Sequence, residues 1–384
     1  MEPGAQKLYS RALDRLGAEA FSREQSRDIP YPLSLHAMAK YFWRTGTKQG
    51  WLPDVPKKPL MLAVSGGGDS VALLWMFRTL YDGPLIVAHV NHGIRGEASA
   101  GAKASPPCDC PGTRASCPSD EDAAFVKDLA ETWGLPFFER QVKVPAEREK
   151  GESLETAARR VRQRELLSLA ESSEAWGIAT GHNRDDLAET ALFNILRGTG
   201  PRGAVGIPER RGLFFRPLLG LRRKFLRELL RVRGLSWRED ETNNDTAFTR
   251  NFIRLELLPL IEERVNAGAV DHLADFAASL SLLREDEEQR GAALLEAALQ
   301  GDKTVAAAGA KASLNRKTVA ALSPFERSLV IREAGRRLGL PTLSRWRLEE
   351  LSTLIARQKP FTFQWARGVD VLGKLGMINF KEDM

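Results

Sequence analysis

Leu60-Met61-Leu62-Ala63-Val64-Ser65-Gly66-Gly67-Gly68-Asp69-Ser70-Val71-Ala72-Leu73-Leu74 is the stretch on which the fold turns. Its first five residues form an apolar run with the length and composition of a buried parallel strand. From Val71 to residue 77 the chain continues as a helix with no polar break. A strand, a glycine-rich turn and a helix in that order make an anion site, because unpaired amides and the positive end of the helix dipole converge on the loop. The glycines permit positive φ and let phosphate oxygens approach the backbone. Ser65, Gly66, Gly67, Gly68, Asp69 and Ser70 are therefore the candidate phosphate-binding residues.

The loop lacks the Gly-Lys-Ser/Thr ending that holds a γ-phosphate in P-loop NTPases. In that place stands Asp69, beside where a polyphosphate would lie. Two unit charges about 4 Å apart repel by roughly 4 kcal/mol at an effective dielectric near 20, so a carboxylate there implies a bridging cation. Magnesium, held by a carboxylate together with nucleotide oxygens, is the reasonable choice. An N-cap pair would account for Asp69 and Ser70, but capping alone does not explain three successive glycines.

Outward from the loop, residues 1–57 read as an N-terminal extension with helical pieces around residues 8–20 and 33–43, closed by Pro53, Pro56 and Pro59. Leu85-Ile86-Val87-Ala88-His89-Val90 is a second strand running into Asn91-His92-Gly93-Ile94-Arg95. His89 and Arg95 thus flank the edge where open α/β sheets bind ligands; His89 is either a nucleotide contact or a structural hydrogen-bonder. Residues 96–121, rich in Ala, Ser, Gly and Pro, read as an inserted mobile loop. It holds all three cysteines, Cys108, Cys110 and Cys117. Their spacing matches no four-ligand zinc knuckle, and an odd number in one loop is no disulfide framework, which fits a reducing cytoplasm.

A helix over 122–133, a third strand over 136–144 and a helix from residue 153 follow. On that last helix Leu154, Ala158 and Val161 recur at helical spacing, while Glu155, Arg159 and Arg162 share another face. Glu155 and Arg159 are either a helix-stabilising i,i+4 pair or part of a site. The fourth strand, 177–180, delivers Gly181-His182-Asn183-Arg184-Asp185-Asp186-Leu187-Ala188-Glu189-Thr190. Asp186 and Glu189 lie on one helical face. Acids in a first turn complement the dipole, but after a strand of the same sheet they also complete a metal–nucleotide site, with Asp69 and Asp186 as magnesium ligands.

Charge is unevenly spread. The net charge is +6, yet residues 197–238 alone hold twelve Lys/Arg against Glu209 and Glu228, leaving the remainder net acidic. Arg197, Arg216, Arg222 and Arg223 in this stretch point to a polyanionic partner. The architecture expected is α/β: a parallel-sheet, Rossmann-like nucleotide-binding domain over 58–259, then a smaller, mainly helical domain over 260–384 ending in a hairpin. No long apolar run and no basic-then-apolar leader appear, as expected of a soluble, non-secreted, cytoplasmic protein without a membrane partner.

Taken together, Ser65-Gly66-Gly67-Gly68-Asp69-Ser70, His89-Val90-Asn91-His92-Gly93-Ile94-Arg95, Ser153-Leu154-Glu155-Thr156-Ala157-Ala158-Arg159, Asp186-Leu187-Ala188-Glu189-Thr190, Arg216-Pro217-Leu218-Leu219 and Arg250-Asn251-Phe252-Ile253-Arg254 closely resemble the tRNA(Ile)-lysidine synthetases of the ATP-pyrophosphatase (PP-loop) group. The resemblance covers residues 60–260. It implies an enzyme that uses ATP and L-lysine to convert the wobble cytidine of a CAU-anticodon isoleucine tRNA into lysidine, through an adenylated cytidine and with release of pyrophosphate and AMP. By the same resemblance residues 65–70 bind ATP, Asp69, Arg159, Asp186 and Glu189 line the reaction centre, and Arg250 and Arg254 meet the tRNA or the developing charge. The competing readings are a PP-loop tRNA thiolase, which needs cysteines for sulfur transfer, and a tRNA-binding protein with a vestigial nucleotide site.

Overall fold

The computed structural model describes residues 2–25, 33–52, 54, 57–91, 118–239, 246, 248–300, 310–357, 359–374 and 376–382. Arg95, the three cysteines and residues 240–245 lie outside them. The chain forms two compact units, Met1–Ala277 and Ala278–Met384.

The first unit runs α1 (Pro3–Gln25), α2 (Leu35–Gln49), β1 (Leu60–Ala63), α3 (Gly68–Leu80), β2 (Leu85–Asn91), α4 (Pro118–Thr132), β3 (Phe137–Gln141), α5 (Leu154–Ser172), β4 (Gly177–Thr180), α6 (Arg184–Leu196), the single turn α7 (Pro201–Ala204), β5 (Arg210–Arg211), β6 (Phe214–Phe215), α8 (Arg223–Val232), α9 (Thr249–Phe252), a π-turn (Ile253–Leu257), α10 (Leu258–Arg264) and the start of α11 (Ala269–Gln300). The sheet order is β3-β2-β1-β4-β6-β5. All neighbours are parallel except β5, which turns back on β6. Strand order reverses between β1 and β4, so the chain leaves those two neighbouring strands in a crevice at their carboxyl ends.

The unbroken apolar run of α3 has a packing cause. Every residue from Val71 to Phe77 is buried, in a core shared with Phe42 and Trp51 and with Leu226, Leu229 and Leu230 of α8. Phe42 meets Trp51 and Phe77 edge-on, with ring centroids 4.7 and 4.9 Å away. Residues read as an extension thus build the outer cover of α3. Arg15 also donates to the carbonyls of Thr79 (3.0 Å) and Tyr81 (2.9 Å), satisfying acceptors at the end of that helix.

Three features differ from the sequence reading. Helix α4 begins at Pro118, inside the segment expected to be a loop. The β5–β6 hairpin was read only as part of a basic stretch, because two-residue strands carry no measurable period. The division between units falls at Ala277 rather than at 259, because Ile253, Leu258, Val270 and Ala274 pack with Leu187, Ala188 and Ala191 of α6 in one core.

The second unit holds the rest of α11, then β7 (Ala310–Asn315), α12 (Arg316–Ala321), α13 (Pro324–Arg337), α14 (Arg345–Ala356), β8 (Phe361–Ala366), β9 (Val369–Lys374) and β10 (Met377–Glu382). Its strands form an antiparallel sheet in the order β7-β10-β9-β8. The expected hairpin is therefore part of a larger sheet. Phe361, Phe363 and Trp365 alternate inward against Leu351 and Ile355 while Thr362 and Gln364 face out. Among the described residues, no helix is long and apolar enough to cross a membrane.

Candidate active site

The crevice between β1 and β4 is built first from backbone. Gly66 adopts φ +91°, which requires glycine. Ser70 closes the loop on itself: its Oγ donates to the Gly67 carbonyl (2.8 Å) and accepts the Ser65 N–H (3.2 Å). The N–H groups of Gly66, Gly67, Gly68 and Asp69 meet no acceptor among the described residues, the condition an anion cradle at a helix start needs. His89 is buried and its Nδ1 lies 2.9 Å from the Val64 carbonyl, so that nitrogen is committed to the backbone at the end of β1.

From β4 comes the acidic half. A Cβ at Gly181 would stand 3.1 Å from the Asp69 carbonyl carbon and from the Ser70 nitrogen, so glycine there lets the two strand exits touch. Asn183 caps α6 in a reciprocal box, its Oδ1 accepting the Asp186 N–H and its own N–H donating to Asp186 Oδ2, both at 3.0 Å. This sets Asp186 and, one turn on, the fully buried Glu189 facing α8. Arg223 reaches all three acids: Nη2 to Asp186 (2.7 Å), Nη1 to Glu189 (3.0 Å) and Nε to Asp69 (3.4 Å). Arg254 adds Nε to Glu189 Oε1 (2.9 Å) and Nη2 to Oε2 (2.8 Å).

Asp69 is the acid left short of partners. Burial pushes its carboxyl up to about 6, against the opposing pull of Arg223 and with Asp186 adding to the rise. Its Oδ1 is buried without a hydrogen bond of ordinary length, and the Asn183 side chain, whose Nδ2 is likewise unpartnered, bears on the same carboxyl. That orphaned oxygen fits a magnesium ion held by one carboxylate and by substrate oxygens. Asp186 does not fit the ligand role expected of it: Oδ1 accepts from Arg223 and Arg254, and Oδ2 from the Asn183 N–H.

Above this lies a set of cations. Arg250 stands 3.6 Å from Glu155 and 3.7 Å from Glu189, which places the N-terminus of α5 beside the acids. Arg159, Arg162, Arg216 and Arg250 all bear on the half-buried His182. Burial first, and then those four charges, hold its imidazole well below the usual histidine range. His182 is thus neutral in the folded chain and protonates near 6.5 when unfolded. The unfolded state binds more protons below that value, so stability is complete above about pH 6.5 and is lost on acidification. The midpoint of urea unfolding should fall between pH 7.5 and 5.5, and in His182→Gln the fall should be smaller; equal falls would show that the ring is charged in the native state.

Several of the arginines expected to contact RNA have other partners within the fold. Arg222 is held by Asp185 (3.2 Å), Glu262 (3.1 Å) and Asp271 (2.9 Å), and Arg223 by the three site acids, so both are committed to carboxylates. Arg216 is 3% exposed and donates to the Pro208 carbonyl. Arg197 is exposed over Phe193, but it caps the far end of α6, about 17 Å along the axis from Asp186. Sequence reasoning missed Trp237 and saw Arg238 only as the last charge of the basic stretch. A Cβ on Gly68 would lie 3.4 Å from the Trp237 ring, and the Arg238 N–H donates to the Gly66 carbonyl at 3.0 Å.

A parallel sheet with an open amide cradle at its switch point, faced by acids from the neighbouring strand, defines a PP-loop protein, and the family model described as the PP-loop domain matches residues 44–107 and 114–261. The chain belongs to the tRNA(Ile)-lysidine synthase family. It is 33% identical over 327 residues to the tRNA(Ile)-lysidine synthase of Chlorobaculum tepidum, covering 84% of this chain and 91% of that one. It is 45% identical over 223 residues to that of Thermus thermophilus, covering 58% of this chain and 39% of the relative. The chain thus spans about two fifths of the length of the Thermus relative. The U34-tRNA thiolase NcsA of Methanococcus maripaludis is similar with a TM-score of 0.48 at 14% identity, over 65% of this chain and 81% of that one.

Proposed function

We propose that this protein ligates L-lysine to C2 of the wobble cytidine of a CAU-anticodon isoleucine tRNA, at the expense of ATP. The observation that carries the reading is the open amide cradle of residues 66–69 facing Asp186 and Glu189 across β1 and β4, in a chain of this family. The cradle takes the phosphates, and Asp69 offers its free oxygen to magnesium, which when bound would neutralise the polyphosphate. The cytidine O2 attacks the α-phosphorus and pyrophosphate leaves. The cations around His182, with Arg159 and Arg250 foremost, face the negative charge that develops and the RNA backbone. The lysine ε-amine then attacks C2 and AMP departs. Incubation with ATP, labelled lysine and either isoleucine or methionine tRNA tests this: label should enter only the isoleucine tRNA, with pyrophosphate released in step. Pyrophosphate absent with every tRNA would sink the reading.

RNA affinity should fall with salt, at a log-log slope of about -0.7 per single-strand phosphate contact. Arg211, exposed on β5, bears electrostatically on both Arg159 and Arg216. Arg211→Ala should flatten the slope by about one contact, whereas Arg222→Ala, whose guanidinium is occupied by acids, should leave it unchanged. The reverse pattern would move the RNA path to α8.

A further inference from the structure

We infer that Trp237 and Arg238 are positioning residues for the triphosphate, forming a latch across the glycine loop; the inference rests on the nucleotide reading above. The latch is tied down on both sides. Leu235 N–H donates to the Leu230 carbonyl at the end of α8 (2.9 Å). Arg238 spans to α4, with Nε 2.5 Å from Asp122 and Nη2 2.8 Å from Glu121. Glu239 is held by Arg227 at 3.1 Å and by the indole N–H at 3.3 Å. Between these ties, the segment touches the loop twice. The Arg238 N–H takes the Gly66 carbonyl, and the Trp237 ring lies over Gly68.

The consequence follows from peptide geometry. Gly66 stands in the left-handed region, where a peptide flip costs little because no side chain resists it. Its other side is packed by Phe125 and Val126 of α4, each 3.5 Å from a Cβ built there. With its carbonyl held by Arg238 on one side and α4 closing the other, the Gly66–Gly67 peptide has one orientation. That removes an ordering cost which nucleotide binding would otherwise bear. The indole in turn walls the first turn of α3, in van der Waals reach of residue 68 at 3.4 Å from a Cβ built there.

Trp237→Ala and Arg238→Pro, the second removing the backbone donor, should each raise KM for ATP about fivefold or more, with kcat and tRNA affinity close to wild type. Trp237→Phe should restore most of the loss, and Arg238→Ala, which keeps the N–H, should lie between. Addition of ATP should change tryptophan emission in the wild type but not in Trp237→Phe. Variants that lose thermal stability yet keep the wild-type KM for ATP would overturn the latch alone. Wild-type protein that binds no ATP would overturn the nucleotide reading with it.

Discussion

Arg223→Ala should unfold at markedly lower urea and lose ATP turnover together. One guanidinium with 18% side-chain exposure serves Asp69, Asp186 and Glu189, and Glu189 is 1% exposed. Removing one partner from a buried ion pair typically costs about 3–5 kcal/mol, because the charge left behind has neither water nor counter-ion. Arg254 still covers Glu189 and reaches Asp186 at 3.4 Å, so the loss falls mainly on Asp69, which the Asp186 charge then repels across the crevice. Asp69, already pushed up to about 6 by burial, should rise further and carry a proton near neutrality. A neutral Asp69 cannot hold a cation, so pyrophosphate release should fall with stability. Arg223→Lys keeps the charge but not the three-way fork, and should recover stability more than turnover. A variant within about 1 kcal/mol of wild type in urea unfolding, at unchanged m, would show that the acids are compensated elsewhere.

The same network explains what was legible in the sequence. The strand–glycine loop–helix unit and the acids after β4 are local features with short-range causes, and the parallel order of β1 and β4 brings them together as expected. Which charges face RNA is not local. Residues 197–238 read as one basic face, yet Arg222 and Arg223 turn inward, because their partners Asp185, Asp186, Glu189, Glu262 and Asp271 come from other helices, and Arg216 is buried with its guanidinium on the Pro208 carbonyl. A count of charges along the chain cannot see pairing across the fold. Trp237 and Arg238 were hidden for a related reason: their contacts are made to a carbonyl and to a glycine, which leave no mark in composition. The role of α1 and α2 as a cover for α3 could have been suspected, since an all-apolar helix after the loop demands burial on both faces.

Glu189→Gln and Asp186→Asn should slow lysine transfer by about 100- to 10,000-fold, the range expected when a proton acceptor is removed. The lysine ε-amine has a reference pKa of about 10.4, so neutralising it at pH 7 costs roughly 4 to 5 kcal/mol. Attack on C2 requires the free amine, and the carboxylates nearest the cradle are the available acceptors. Both begin saturated: Glu189 by Arg223 and Arg254, Asp186 by Arg223, Arg254 and the Asn183 amide. Accepting a proton therefore requires a guanidinium to shift, and the departing pyrophosphate and AMP are the anions that would draw one away. The variants should show this in their pH dependence. Without an acceptor, the transfer rate follows the fraction of free amine and climbs about tenfold per pH unit above neutrality, while the wild type is nearly flat. A nucleophile already neutral at pH 7, such as hydroxylamine, should be transferred by Glu189→Gln at close to the wild-type rate. If both variants transfer lysine as fast as wild type at pH 7, neither carboxylate takes the proton and the acids serve only to hold Arg223 and Arg254 in place.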